Sequence, residues 1–432
     1  MSRKKSEEGN NVGGWEKWSY ALYFFGQNII YALIALNVQT LFSDVGITAA
    51  TVAAILLVTK LWDAINDPLL GIIIDRVQFK KGRFLPWLRI SLPFIALSSI
   101  FLFALPSGAS MGIKICWAII GYVAWDMSYT VCDVPIFVLP TSMTDNIKER
   151  SSILSLGRYL GIVGLMAGSV MLPVLQTRLG WFGIGILLSI VGAAFMLPLC
   201  FSAKERHIVR SEQGVTLQQM GRYVAGNKYL LIFFIAVFAS SVTNFASTLS
   251  LFFARYNLGN QDLASILGML TIVPTIVVGA FIPSLIKKVD KYYMYVVFMI
   301  ISAVICLARF FIGYENLTVF IAFAAVHGMV MGTGSIVSSM FMPDCLEYGT
   351  YHTGERAEGV AASVQTFVNK LTGSISGPIA MLLIGAFGFV AGENAVQPAS
   401  ALSGIWLGIT IFPFIGTVIA LVLLWFYKLR DK

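Results

Sequence analysis

Twelve apolar runs, most of them close to twenty residues long and separated by short polar stretches, leave this chain few folds to adopt. About twenty consecutive apolar residues make a helix that crosses the hydrocarbon of a bilayer. The runs fall near residues 20–42, 50–74, 87–105, 114–140, 153–175 and 181–201, then near 229–253, 263–286, 293–313, 317–342, 359–389 and 401–427. Composition agrees: 57% of the 432 residues are hydrophobic and only 12% are charged, about half the charged share of a soluble domain. The expected class is therefore an all-α membrane protein of about twelve transmembrane helices. A polar stretch, 202–228, divides them into two six-helix halves, 1–201 and 229–432. No loop is long enough to fold as a domain of its own.

The net charge of +8 and pI of about 9.2 do not point to nucleic acid, because the basic residues alternate between loops instead of sharing one soluble face. One side collects Arg3, Lys4, Lys5, Arg76, Lys80, Lys81, Arg83, Lys148, Arg150, Lys204, Arg206, Arg210, Lys287, Lys288, Lys291, Lys428 and Arg430, among others, and the other holds chiefly Lys114, Arg178 and Arg255. By the positive-inside rule both termini are expected in the cytoplasm and the chain in the inner membrane. Residues 1–20 are polar and lack a small-residue cleavage site, so no cleaved signal peptide is expected. The five cysteines, Cys116, Cys132, Cys200, Cys306 and Cys345, have unrelated spacings and read as small buried hydrophobes.

The second run carries Lys60, Asp63 and Asp67 inside sequence that otherwise reads as lipid-facing. Three charges near a helix centre cost roughly 8–10 kcal/mol on the insertion scale, barely offset by the apolar residues around them. Such residues mark a functional site by default. Asp63 and Asp67 are four apart and share a helix face. With Asn66 and a hydroxyl from another helix they supply hard oxygens suited to Na⁺, while the carboxylates alone suit a proton. On the fourth run Asp126, Thr130 and Asp133 fall at i, i+4 and i+7, one stripe of a helix. Trp125, Tyr129 and Phe137 offer flat apolar rings to the C–H faces of a sugar. On the eleventh run Gln365 and Lys370 lie on adjoining faces, and Lys370 is a natural counter-charge for Asp63 or Asp67. Arg158 reads either as an anchor or as a cavity residue. The basic loop from Arg76 to Arg83 has a gating role open to it, interlocking with Asp344, Glu347, Glu355, Arg356 and Glu358. His207, His327 and His352 show no nucleophile pattern, and His327 reads as alone in an apolar run.

Several segments resemble one family specifically. Trp62-Asp-Ala-Ile-Asn-Asp-Pro-Leu-Leu-Gly-Ile-Ile-Ile-Asp-Arg76, Lys81-Gly-Arg-Phe-Leu-Pro-Trp87 and Tyr129-Thr-Val-Cys-Asp-Val-Pro135 are similar to the glycoside–pentoside–hexuronide:cation symporters, which belong to the major facilitator superfamily. The second half agrees through Asp344-Cys-Leu-Glu-Tyr-Gly349, Thr353-Gly-Glu-Arg-Ala-Glu-Gly359 and Ser363-Val-Gln-Thr-Phe-Val-Asn-Lys370. The resemblance implies the major facilitator fold and a cation site at Asp63, Asn66, Asp67 and Thr130, with Na⁺ or H⁺ as coupling ion. It implies sugar contacts at Tyr129, Asp133, Arg158, Gln365, Thr366 and Lys370, to which Asn28 and Phe137 are added at positions where melibiose-type members carry other residues. Arg76, Arg150, Asp344, Glu347 and Arg356 are the expected gating residues. Melibiose-type members have Lys-Asp where this chain has Gln27-Asn28, a Trp where it has Phe137, and a small residue where it has Asp126. No phosphotransferase-like domain is expected after Lys432.

The expected activity is uptake of a sugar with Na⁺ or H⁺ by alternating access, in a monomer surrounded by lipid, with no cofactor and no nucleic acid. The rivals are a lysolipid symporter of the same superfamily, a membrane-embedded transferase and a sugar sensor. The transferase would need a catalytic group and a cofactor loop at a membrane face, and neither is found.

Overall fold

A computed structural model describes residues 12–77, 79, 82–106, 108–207, 226–279, 288–338, 340–341, 344–345, 348–349, 351, 372–373, 375–392 and 395–429. Among them there is no strand, only an isolated bridge between Phe79 and Gly82. The chain forms two compact units, Met1–Glu212 with Ala391–Asn394, and Gln213–Val390 with Ala395–Lys432.

The first unit contains α1 (Gly14–Ala35), α2 (Val38–Asp44), α3 (Ala49–Arg76), α4 (Leu85–Phe103), α5 (Met111–Met143) and α6 (Ile147–Ser202). The 56 residues of α6 would measure about 84 Å at 1.5 Å per residue, far more than the ~30 Å of bilayer hydrocarbon. The run is therefore two membrane-length helices, and the corner is Gly180, with φ of +65° inside otherwise helical backbone. A side chain there would clash with the following carbonyl, which is why glycine occupies the turn. The runs expected at 153–175 and 181–201 lie on either side of it.

α1 packs on the first part of α6 through a stripe of glycines at 157, 161, 164 and 168. A methyl group at Gly157 would stand 2.7 Å from the Tyr20 ring, one at Gly161 would stand 3.0 Å from Asn28 Nδ2, and one at Gly164 would run into the Phe25 backbone. Small residues at this spacing let two helices approach closely, and in lipid it is such packing, not hydrophobic burial, that joins helices.

Carboxylates that are buried or half-buried tie together the end of this unit where α1 begins. Glu16 accepts from its own N-cap amide at Gly13 (3.0 Å), from the Lys204 amide (3.1 Å) and from Arg206 (2.6 Å). Glu149 pairs with Lys17 at 2.8 Å and accepts from the Thr144 hydroxyl at 2.8 Å. Glu205 accepts the backbone amides of Arg83, Phe84 and Leu85 at 2.8, 2.9 and 2.7 Å, and so caps the N-terminus of α4 from a distant part of the chain.

The second unit contains α7 (Lys228–Ser240), which continues through a 3-10 turn (Ser241–Asn244) and a π turn (Phe253–Asn257), then α8 (Leu263–Gly279), α9 (Lys291–Ile312), α10 (Leu317–Ser338), α11 (Ile375–Ala386), α12 (Ala399–Ile409) and α13 (Ile411–Leu424). Its core gathers Phe233, Tyr295, Phe341 and Tyr427, with Phe233 and Phe341 stacked at 5.4 Å.

Among the described residues eight helical stretches are long and apolar enough to cross a membrane. α6 is one of the eight and supplies two crossings. α3 has Ala49–Lys60 as its described apolar stretch, α8 has 17 residues, and α11 is the described part of the eleventh run. With these the described helices fall on each of the twelve runs that the sequence marks.

Candidate functional site

The first unit brings the polar residues of α1, α3, α5 and α6 together. Phe24, Gln27, Asn28 and Tyr31 occupy i, i+3, i+4 and i+7 of α1, a single face. That face meets α5. Gln27 Nε2 donates to Asp133 Oδ1 at 2.8 Å, the Tyr31 and Tyr129 rings lie 5.4 Å apart, and Phe24 sets its edge against Phe137 at 5.2 Å. Asn28 turns its amide back to the Phe24 carbonyl at 2.8 Å. Arg158, on the first turns of α6, is exposed and holds its guanidinium 6.0 Å over the Phe137 ring. Tyr129 is also backed by Trp125 at 5.4 Å. The result is a half-open surface with one carboxylate acceptor, one guanidinium donor and aromatic faces between them.

Less than one turn away α3 meets an adjoining face of α5. Asn66 Nδ2 approaches the Thr130 hydroxyl at 3.4 Å, and both residues are buried, at 2% and 4% exposure. Thr130 in turn donates to the Asp126 carbonyl at 3.1 Å. Asp63, three residues before Asn66, pairs with Lys60 at 3.5 Å, and the Lys60 ammonium lies 5.8 Å from the centre of the Tyr122 ring. This buried amide–hydroxyl pair puts two neutral oxygens, Asn66 Oδ1 and Thr130 Oγ1, on the helices that carry Asp63 and Asp126.

The structure thus brings Asp63, Asn66 and Thr130 together on one side, and Asn28, Tyr129, Asp133, Phe137 and Arg158 on the other, sharing α5. Asp67 and Arg76 lie on the α3 helix, and their side chains are outside what is described. Gln365, Thr366, Lys370, Glu347 and Arg356 lie outside the described residues. Of the remaining gating candidates, Arg150 donates to the Thr144 carbonyl at 3.2 Å, and Asp344 pairs with Lys291 at 2.6 Å within the second unit.

Two polar features escape a sequence reading. Gln27, which the sequence marks only as a departure, is the partner of Asp133. His327, which reads as alone, has partners on α9: its Nε2 stands 3.1 Å from Ser302 Oγ and 3.3 Å from Cys306 Sγ. Ser302, Cys306 and Arg309 occupy i, i+4 and i+7 of α9, a spacing that would have revealed the stripe. Arg309 is 5% exposed, with its guanidinium over the Phe320 ring at 4.8 Å.

Comparison with known proteins agrees with this architecture. A family model described as MFS/sugar transport protein matches residues 19–431. The uncharacterized symporter YnaJ of Bacillus subtilis (strain 168) is 31% identical over 448 residues, covering 99% of this chain and 94% of its own. The isoprimeverose transporter of Lactiplantibacillus pentosus is 28% identical over 439 residues, covering 98% and 90%. A crystal structure of the nucleoside transporter NupG, 16% identical, superposes with a TM-score of 0.65 over 96% of this chain and 99% of that one, a likeness of fold alone. With a match from residue 19 to residue 431 and helices that cross a bilayer repeatedly, the chain belongs to the MFS/sugar transport protein family of multi-pass membrane transporters.

Proposed function

We propose that this chain is a secondary active symporter that takes up a sugar (a glycoside, pentoside or hexuronide) together with Na⁺ by alternating access. The family is one of transporters, not enzymes. The observation that carries the reading is the sharing of α5. Thr130 faces the α3 carboxylate helix while Asp133, less than one turn on, faces the α1 amide. An ion drawn to Asp63, Asn66, Asp67 and Thr130 fixes the rotation of α5 and with it the direction of the Asp133 carboxylate. Coupling of this kind is reciprocal, so a sugar on Asp133 raises the affinity for the ion by the same factor.

In this reading Asp133, held at Oδ1 by Gln27, accepts from sugar hydroxyls. Arg158 donates to ring or hydroxyl oxygens, and Phe137 with Tyr129 covers the apolar C–H face. Asn28, Gln365, Thr366 and Lys370 complete the sugar contacts, as the resemblance implies. Na⁺ is preferred to H⁺ because the amide and hydroxyl oxygens of Asn66 and Thr130 are ligands that a hard cation uses and a proton does not need. The protein sits in the inner membrane as a monomer with both termini cytoplasmic, and Arg76, Arg150, Asp344, Glu347 and Arg356 act at the cytoplasmic gate.

Uptake of a labelled glycoside panel into proteoliposomes, with Na⁺ and pH gradients imposed separately, tests the reading. Accumulation driven by inward Na⁺ is expected. Accumulation that ignores Na⁺ and follows the pH gradient assigns H⁺ instead, and no accumulation under either gradient contradicts symport.

A further inference from the structure

Lys60 is a fixed cation at the edge of the ion seat, and its surroundings hold more negative charge than Asp63 alone. The contacts of α3 with α5 keep nearly one register: Asn66 meets Thr130, 64 residues on, and Lys60 meets Tyr122, 62 residues on. Asp63 therefore stands at the level of Asp126, one turn from both contacts. Asp126 is 5% exposed on the α3-facing stripe of α5, and the Lys60 ammonium lies in the fields of Tyr122, Asp63 and Asp126 together. The 3.5 Å separation from Asp63 is long for a charge-assisted hydrogen bond, so this pair holds the ammonium loosely.

We propose that Asp126 is a positioning residue for the coupling ion: it takes the Lys60 ammonium when the ion arrives and so frees Asp63 to bind it. The inference rests on the symport reading above. An ion entering beside Asp63 meets a like charge at Lys60, and the repulsion is relieved only where Lys60 has a second carboxylate to move to. Asp126, at the level of Asp63 on the neighbouring helix, is that acceptor. The same movement carries the ammonium from a partner on α3 to a partner on α5, so occupation of the ion seat joins the two helices that also position Asp133.

The hand-over and a simple additive field make the same prediction for single variants and different predictions for the pair. The Na⁺ concentration that half-saturates the rise in sugar affinity is measured in purified wild-type protein in nanodiscs, then in Asp126→Asn, Lys60→Gln and the double variant. H⁺ replaces Na⁺ as the probe where the wild-type ignores Na⁺. Asp126→Asn is expected to raise that concentration about tenfold, the scale of coupling between contacting charges. Lys60→Gln is expected to lower it. In the Lys60→Gln background the Asp126→Asn effect disappears, because no ammonium remains to be moved. Sugar affinity at saturating ion changes little in any of them. Asp126→Glu, which keeps the charge, retains the wild-type ion dependence, and Lys60→Gln gives an independent reading where Asp126→Asn does not fold. An unchanged ion requirement in Asp126→Asn, an undiminished effect in the Lys60→Gln background, or a raised ion requirement in Lys60→Gln each overturns the proposal. A wild-type protein whose sugar binding follows neither ion overturns the symport reading and this inference with it.

Discussion

Gln27 donates its side-chain amide to Oδ1 of Asp133 across 2.8 Å, joining α1 to α5 at the acceptor carboxylate. Gln27 is 1% exposed, so the bond is shielded from water, and its loss leaves a charged acceptor one partner short. Removing the charge from a hydrogen-bonded acceptor of this kind costs about 1.5–3 kcal/mol, about 10–100-fold in affinity. Asp133→Asn is therefore expected to weaken sugar binding by that factor and ion binding by less. Gln27→Leu is expected to weaken sugar binding in the same direction by a smaller amount, since Asp133 survives but is no longer aimed. Calorimetric titration with the transported sugar checks both.

Glu205 is expected to govern the stability of the first unit. Its carboxylate takes three backbone amides at the start of α4, and losing an N-cap costs about 0.5–2 kcal/mol. Glu205→Ala should lower the thermal unfolding temperature in detergent while leaving sugar affinity near wild-type. Gly82→Ala should act in the same direction. Gly82 has φ of +117°, and its added methyl would stand 2.6 Å from Glu205 Oε1.

The glycine stripe of α6 sets the separation of α1 from α6. Gly164→Val places a branched side chain against the Phe25 backbone, forcing the helices apart by more than side-chain rotation can absorb. Overpacking of a tight contact costs about 1–3 kcal/mol. Gly164→Val is expected to unfold earlier than wild-type and to bind sugar poorly, because Gln27 and Asn28 ride on the displaced helix. Gly183→Val, where the added carbon meets only the Leu179 side chain, should be milder. Thermal melts of the two variants side by side measure the difference.

In the second unit, Arg309 is buried over Phe320 with no acceptor for its Nε among the described residues. A buried charge that is not well paired is often replaced at no loss by an apolar side chain of similar size, with a gain of about 1–4 kcal/mol. Arg309→Met is expected to raise the unfolding temperature. A fall would mean that the guanidinium has a partner that the change removes.

What was legible in the sequence follows from separation along the chain. The twelve runs and the charges within α3 are local patterns, and composition alone exposes them. Asp126, Thr130 and Asp133 were legible as one stripe because helical periodicity is local too. The partner of Asp133 was not, since Gln27 lies 106 residues away and nothing in either segment encodes the packing of α1 on α5. His327 looked solitary for the same reason: Ser302 and Cys306 lie 25 and 21 residues earlier on another helix. The start of α1 at Gly14, ahead of the expected run, was hidden because Glu16 and Lys17 read as solvated. Glu16 is instead buried against Lys204 and Arg206. Gly180 marked only a gap between two runs, and the structure makes it the corner of nearly continuous helix.

The most direct test of cation-coupled sugar uptake is to separate accumulation from exchange in Asp63→Cys and Asp67→Cys. Both carboxylates lie on α3, and Asp63 already holds a cation in Lys60. Right-side-out vesicles are loaded with labelled sugar, and both gradient-driven accumulation and equilibrium exchange are followed. The account predicts that each variant loses accumulation while part of the exchange remains, because the sugar contacts on α1, α5 and α6 are untouched. Accumulation at wild-type levels in both variants would contradict it.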